Sequence, residues 1–175
     1  MLKRVKLTML SRRVGIAVSL FDGIKDIRAL MCACRSPVVD DEGELVEPEE
    51  TEMFCYGRLR MTEEEFSLTY DETELTGMEG TQSKVSFQLA QRGLITMLHT
   101  GGVSTALVFE EGQRHVCIYQ TPIMPFEVCV HTLKVENRLG LDGAVGGALD
   151  LDYIVEIRGA QAEHCRMHLE VSEVE

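Results

Sequence analysis

Positive charge is scarce in this chain. Seventeen lysines and arginines stand against twenty-nine aspartates and glutamates, a formal net charge of −12. Duplex nucleic acid is bound largely by cations that displace counterions from its phosphates, so no nucleic-acid partner is expected. Cysteine is thin as well: Cys32, Cys34, Cys55, Cys117, Cys129 and Cys165 are too few for a disulfide scaffold. Most of them lie in apolar runs, where a free thiol acts as a small hydrophobe. A secretory signal is missing, because Asp22 ends the apolar run 14–21 early and no small-residue cleavage pattern follows. The expected compartment is therefore the reducing cytoplasm.

Signatures of catalysis are also lacking. Gly140, Gly143, Gly146 and Gly147 suggest a phosphate loop, but no helix follows to supply the amides such a cradle needs. The segment 102–106 lacks the second glycine of a nucleophile elbow. No repeat and no second domain is evident, and 175 residues suffice for one core without disulfides or metal. With 45% apolar and 26% charged residues, the composition fits a soluble globular protein rather than a disordered or membrane one.

What the chain does contain is a period of two. Phe66, Leu68 and Tyr70 alternate with polar neighbours, as do Val85, Phe87 and Leu89. Apolar runs at 94–98 and 106–109 follow, then Val116 and Ile118, then Phe126, Val128 and Val130. Leu149, Leu151, Tyr153 and Val155 form the next set, and Cys165, Met167, Leu169 and Val171 the last. Glycine- and proline-bearing breaks separate these runs. The pattern predicts an all-β fold, a single antiparallel up-and-down barrel of about 8–10 strands, with the domain spanning 29–175.

Residues 1–28 read differently. Seven cations (Lys3, Arg4, Lys6, Arg12, Arg13, Lys25, Arg28) face only Asp22 and Asp26, a local +5 that leaves −17 on the rest. Val5, Met9, Leu10, Val14 and Phe21 suit one face of a helix. The segment is expected to be a loosely attached basic extension outside the core, helical or disordered, or a misassigned start with Met31 as the true initiator. Membrane contact is not expected of it. Residues 37–50 carry seven acids without the calcium-loop spacing and are expected to form a solvated hairpin loop.

From residue 52 onward a family pattern is legible. It runs through Tyr70-Asp71-Glu72-Thr73, the stretch Thr76 to Thr81, Arg92-Gly93, Phe109-Glu110, Gly112, Arg114-His115, Tyr119, Thr121-Pro122, Gly146-Gly147 and Tyr153. On these residues the chain resembles the YwiB-like bacterial domains of unknown function (DUF1934), a branch of the calycin, lipocalin-like β-barrels. The resemblance implies a barrel and carries no catalytic residues with it. Where that pattern has a glycine this chain has Met124, a position expected to want a left-handed backbone.

Two polar constellations stand out. Glu72 shares a strand face with Phe66, Leu68 and Tyr70 and is expected to point into the lumen, paired with Arg92. Tyr70, Glu72, Arg92, Phe109, Tyr119 and Tyr153 are the candidate binding residues, with a structural ion pair as the alternative. Second, a turn pairing Thr121 with Pro125 sets Cys117 opposite Cys129 and His115 opposite His131, a candidate zinc site on the outer wall. Packed cysteines and histidines are the plainer reading of that set. Cys32 and Cys34 share a face in a strand, as do His164 and His168, without a third ligand, and packed cysteines and exposed histidines are expected there. No cofactor is expected. Three functions remain open: a barrel binding a small molecule without catalysis, an interaction module or homodimer acting through its outer face, and an enzyme using Glu72.

Overall fold

The computed structural model describes residues 1–22 and 26–174; Gly23, Lys25 and the residue between them, part of the expected extension, lie outside the described residues. The elements are β1 (Leu2–Ile16), α1 (Ile27–Arg35), β2 (Glu49–Met61), β3 (Glu65–Asp71), β4 (Thr81–Gln88) and β5 (Leu94–Gly101). After them come β6 (Thr105–Glu110), β7 (Arg114–Gln120), β8 (Pro125–Asn137), β9 (Gly147–Ile157) and β10 (Ala162–Glu173).

All ten strands belong to one antiparallel sheet in the order β6-β5-β4-β3-β2-β1-β10-β9-β8-β7. It curls into a nearly closed barrel. The seam is an isolated bridge between Ser104 and Gln120, whose backbones exchange hydrogen bonds of 3.0 and 2.8 Å. β3, β4, β8, β9 and β10 bury the alternating residues read from the sequence, because one face of each must be buried. β7 reverses the reading: Val116 and Ile118 are 58% and 46% exposed, while Cys117 and Tyr119 turn to the core.

The expected detached extension is overturned. Residues 2–16 form β1, the middle strand of the sheet, paired with β2 on one edge and β10 on the other. Val5, Leu7 and Met9 point into the core while Arg4, Lys6 and Leu10 point out. Val5 and Met9, four residues apart, satisfy a helix and a strand equally; Leu7, two from each, fits only the strand. A short helix is also present where none was expected. The Asp26 carboxylate accepts from the Arg28 amide at 2.9 Å and caps α1, which carries Cys32 and Cys34. Leu30 seals α1 against the outer wall over Ile16, Cys129, Ile154 and Ala162.

The lumen is packed in its lower half. Phe66 stacks on Phe87 with centroids 4.9 Å apart, and Phe109 meets Tyr153 edge-on at the same separation. Below them the β8–β9 connection folds inward and buries Leu139. Gly140 makes that entry feasible: its φ is 63°, and a Cβ there would lie 2.9 Å from the Phe66 ring. Each fully buried leucine or phenylalanine contributes about 1.5–3 kcal/mol by burial. This end is plugged.

Candidate functional site

Polar side chains gather at the other end of the lumen. Tyr70, Ser83, His99 and Thr105 oppose one another in register across β3, β4, β5 and β6, and all four point inward. Glu72 follows β3 directly, held by its backbone N–H donating to the Thr81 carbonyl at 2.8 Å. Ser83 Oγ donates to Glu72 Oε1 and lies 2.6 Å from His99 Nδ1. A hydroxyl has one proton, so with Ser83 donating to the carboxylate, His99 must donate to Ser83 through Nδ1–H. The chain of bonds has a direction, from His99 to Ser83 to Glu72. Burial lowers the pKa of His99 against the raising influence of Glu72, which keeps the ring neutral near pH 7.

This relay satisfies one carboxylate oxygen only. The Glu72 side chain is 2% exposed, and its Oε2 has no hydrogen-bond partner among the described residues. Its neighbours register the charge. Burial first and Glu72 second push the Tyr70 hydroxyl well above its ordinary pKa and raise the Cys55 thiol to about 11.

Arg13 enters the same end from β1. It opposes Cys165, which in turn opposes Tyr153 on β9. Among the described residues its guanidinium has no ion pair and no hydrogen bond, and it is half-buried. Tyr119 senses both charges: burial and then Glu72 raise its pKa, and Arg13 opposes them. Carboxylate and guanidinium therefore lie toward the same end of the barrel, with opposite effects on the Tyr119 hydroxyl. Thr105 hydroxyl to Cys117 sulfur, 3.6 Å, extends the polar row toward β7.

A family model described as Domain of unknown function (DUF1934) matches residues 34–169. The chain belongs to this family. The crystal structure of ywiB protein from Bacillus subtilis is similar to it, with a TM-score of 0.66 and 14% sequence identity. The match covers 99% of this chain and 94% of that one; at such identity it shows the fold. No curated protein matches.

In this DUF1934 barrel the residues singled out from sequence divide between the two ends. Tyr70, Glu72, Tyr119 and Tyr153 lie in or beside the polar end. Arg92 does not. It sits at the plug, where its guanidinium donates to the Leu139 carbonyl and lies 5.0 Å over the Phe87 ring, so the expected Glu72–Arg92 pair is absent. Phe109 is fully buried and packs against the Tyr153 ring. Arg13, Ser83 and His99 were missed, although Ser83 and His99 sit at inward positions of predicted strands and were legible as polar residues on a buried face.

The zinc arrangement fails by one residue of register. Gln120 pairs with Pro125, so Arg114 faces His131, His115 faces Val130, Val116 faces Cys129 and Cys117 faces Val128. Thr121 fixes this longer turn by accepting from the Met124 amide at 3.2 Å and donating to the Met124 carbonyl at 2.8 Å. His115 and Cys117 therefore share a face with the core residues Val130 and Val128, whereas Cys129 and His131 lie on the outer face. No group of three metal-binding side chains occurs among the described residues. Met124 has no left-handed backbone: Asp142 is the one non-glycine residue with positive φ among those described. His164 is buried rather than exposed, bonded to Asp152 at 2.6 Å.

Proposed function

We propose that this chain is a binding protein that holds a small polar molecule at the unplugged end of its lumen and performs no chemistry on it. The observation that carries the reading is Glu72 Oε2, a buried carboxylate oxygen without a donor. Leaving such a group unsatisfied costs about 1–3 kcal/mol or more, and a ligand ammonium or hydroxyl supplies the missing bond. Arg13, unpaired at the same end, suits the ligand's anionic group. A small amino or hydroxy acid presents both. Phe66, Phe87 and Phe109 fill the space below, so the long apolar ligand typical of lipocalin-like barrels is disfavoured.

Ser83 argues against catalysis. It is fully buried, and its proton is committed to Glu72, which leaves no accessible nucleophile next to a base. The six free cysteines fit a reducing cytoplasm. The test is a thermal-shift screen of amino and hydroxy acids followed by calorimetry on each hit. Saturation at about 100 times Kd adds about 2.7 kcal/mol of stability. The expected result is a hit whose affinity falls at least tenfold in both Glu72→Gln and Arg13→Gln. Hits indifferent to both substitutions, or no hit in the class, refute the assignment.

A further inference from the structure

The outer face of β1 and β2 inverts the charge of the molecule. Arg4 stands directly opposite Arg58, Leu2 opposite Arg60, Lys6 opposite Tyr56 and Thr8 opposite Phe54. Like charges directly opposed across a ladder are destabilising, yet none of these four cations forms an ion pair among the described residues. Their charges rest on aromatic faces instead: Arg4 lies 4.8 Å from the Tyr56 centroid and Lys6 lies 5.9 Å from that of Phe54. Both rings are 57% exposed. A groove of about 650 Å³ runs past Arg4, Tyr56, Arg58 and Gln82, with Asp71 as the carboxylate on its rim.

The complement of this face is elsewhere on the same chain. The loop 37–48 is shaped by a Val39–Leu45 bridge and by Asp40, whose carboxylate accepts from the amides of Glu42 and Glu44, each at 2.9 Å. It presents Asp41, Glu42, Glu44 and Glu47 to solvent together with Val39 and Leu45, which are 55% and 65% exposed. Acid mixed with aliphatic groups matches base mixed with aromatic groups.

We propose that loop 37–48 of each copy docks on the β1–β2 face of a second copy. A two-fold axis makes the exchange reciprocal, loop to face and face to loop. The two contacts are spaced by the roughly 25 Å of β2 that separates loop from patch. A chain of net charge −12 repels itself, so association needs a local region of opposite sign, and this face is one. Carboxylates displace the cations from the rings or share them, and Leu45 and Val39 cover Phe54 and Tyr56.

Sedimentation equilibrium on the full chain tests this. The expected result is a dimer at low salt (about 50 mM) whose dissociation constant weakens about tenfold at high salt (about 500 mM). Reversing the face (Arg4→Glu with Arg58→Glu) or the loop (Glu42→Lys with Glu44→Lys) should each give monomers with unchanged circular dichroism. Combining all four substitutions in one chain should restore the dimer. Leu45→Ser should weaken it without altering the salt dependence. A monomer at low salt, or a dimer indifferent to the reversals, overturns the proposal. So does a face-reversed chain of unchanged mass that has lost affinity for a single-stranded oligonucleotide, since the face then serves a polyanion instead.

Discussion

His164 lies on the outer wall beneath α1, its side chain 7% exposed, with Nε2 2.6 Å from an Asp152 carboxylate oxygen. The bond to Asp152, aided by the Cys34 thiol, raises its pKa to about 9 against the opposing effect of burial. Burial alone would raise Asp152, but the His164 bond and charge and the Arg166 charge together lower it. An unfolded histidine titrates near 6.5, so between pH 6.5 and 9 the folded chain holds a proton the unfolded chain has released. The resulting stability is complete below pH 6.5 and is lost as pH rises toward 9. At about 1.4 kcal/mol per unit the full span is worth about 3 kcal/mol. By pH 8.5, two units above the unfolded value, the loss is about 2.5 kcal/mol. Burial lowers His99 and His131, so they oppose folding only below pH 6.5. It raises the Cys55, Cys117, Cys129 and Cys165 thiols, whose unfolded counterparts release protons from about pH 8.5, so the slope is read between pH 6.5 and about 8. Urea unfolding in reductant, followed by far-ultraviolet circular dichroism because the chain has no tryptophan, should show the wild-type free energy falling across the window. His164→Gln should be less stable at pH 6.5 and nearly flat. A flat wild type, or a variant that keeps the slope, refutes the linkage.

Other outcomes follow from the same coordinates. A chain beginning at Met31 leaves the facing edges of β2 and β10 unpaired and should be insoluble or unfolded, read by dichroism and proteolysis. Gly147 has φ 132°, and a Cβ there would collide with the Arg138 carbonyl oxygen, so Gly147→Ala should cost about 3 kcal/mol in urea unfolding. Gly93 has open space around it and no left-handed backbone, so Gly93→Ala should be neutral or stabilise by up to about 1 kcal/mol in the same assay. Phe66→Ala, at the contact between core and plug, should cost about 3–5 kcal/mol and expose Leu139 to solvent, raising hydrogen exchange in residues 138–146.

The barrel was legible because alternation survives in β3, β4, β8, β9 and β10, and because turn residues punctuate the strands. Three things escaped. β1 was hidden by its charge: the run of lysines and arginines suggested a detached basic segment, whereas Arg4, Lys6 and Arg12 are outward residues of a strand whose other face is Val5, Leu7 and Met9. Register across β7–β8 could not be read from the turn's composition, since a hydroxyl bond at Thr121 decides between two loop lengths, and one residue moves every side chain to the other face. Glu72 was placed inward correctly, but its partner was assigned by charge. The structure gives one of its oxygens a neutral donor from the adjacent strand, Ser83 relaying from His99, and leaves the other without one, while Arg92 is drawn away by a backbone carbonyl at the plug. Long-range neighbours of that kind depend on how the barrel closes, which local pattern does not encode.

The pairing of β1 with β10 has a temporal consequence. Val5 meets Glu173 and Met9 meets Leu169, so during synthesis β1 waits for β10. Contacts of such sequence separation carry a high loop-closure entropy and slow folding. The run β2 to β6 is built from neighbour-to-neighbour hairpins and can assemble as it emerges, and so can β7 to β10. The two half-sheets are then joined through β1 on one side and through the single Ser104–Gln120 bridge on the other. Until β10 has emerged, β1 has one edge without a partner, and an unpaired edge with an apolar face is what chaperones and aggregates recognise. The cations along the outer side of β1 give that waiting strand the charge that discourages edge-to-edge association.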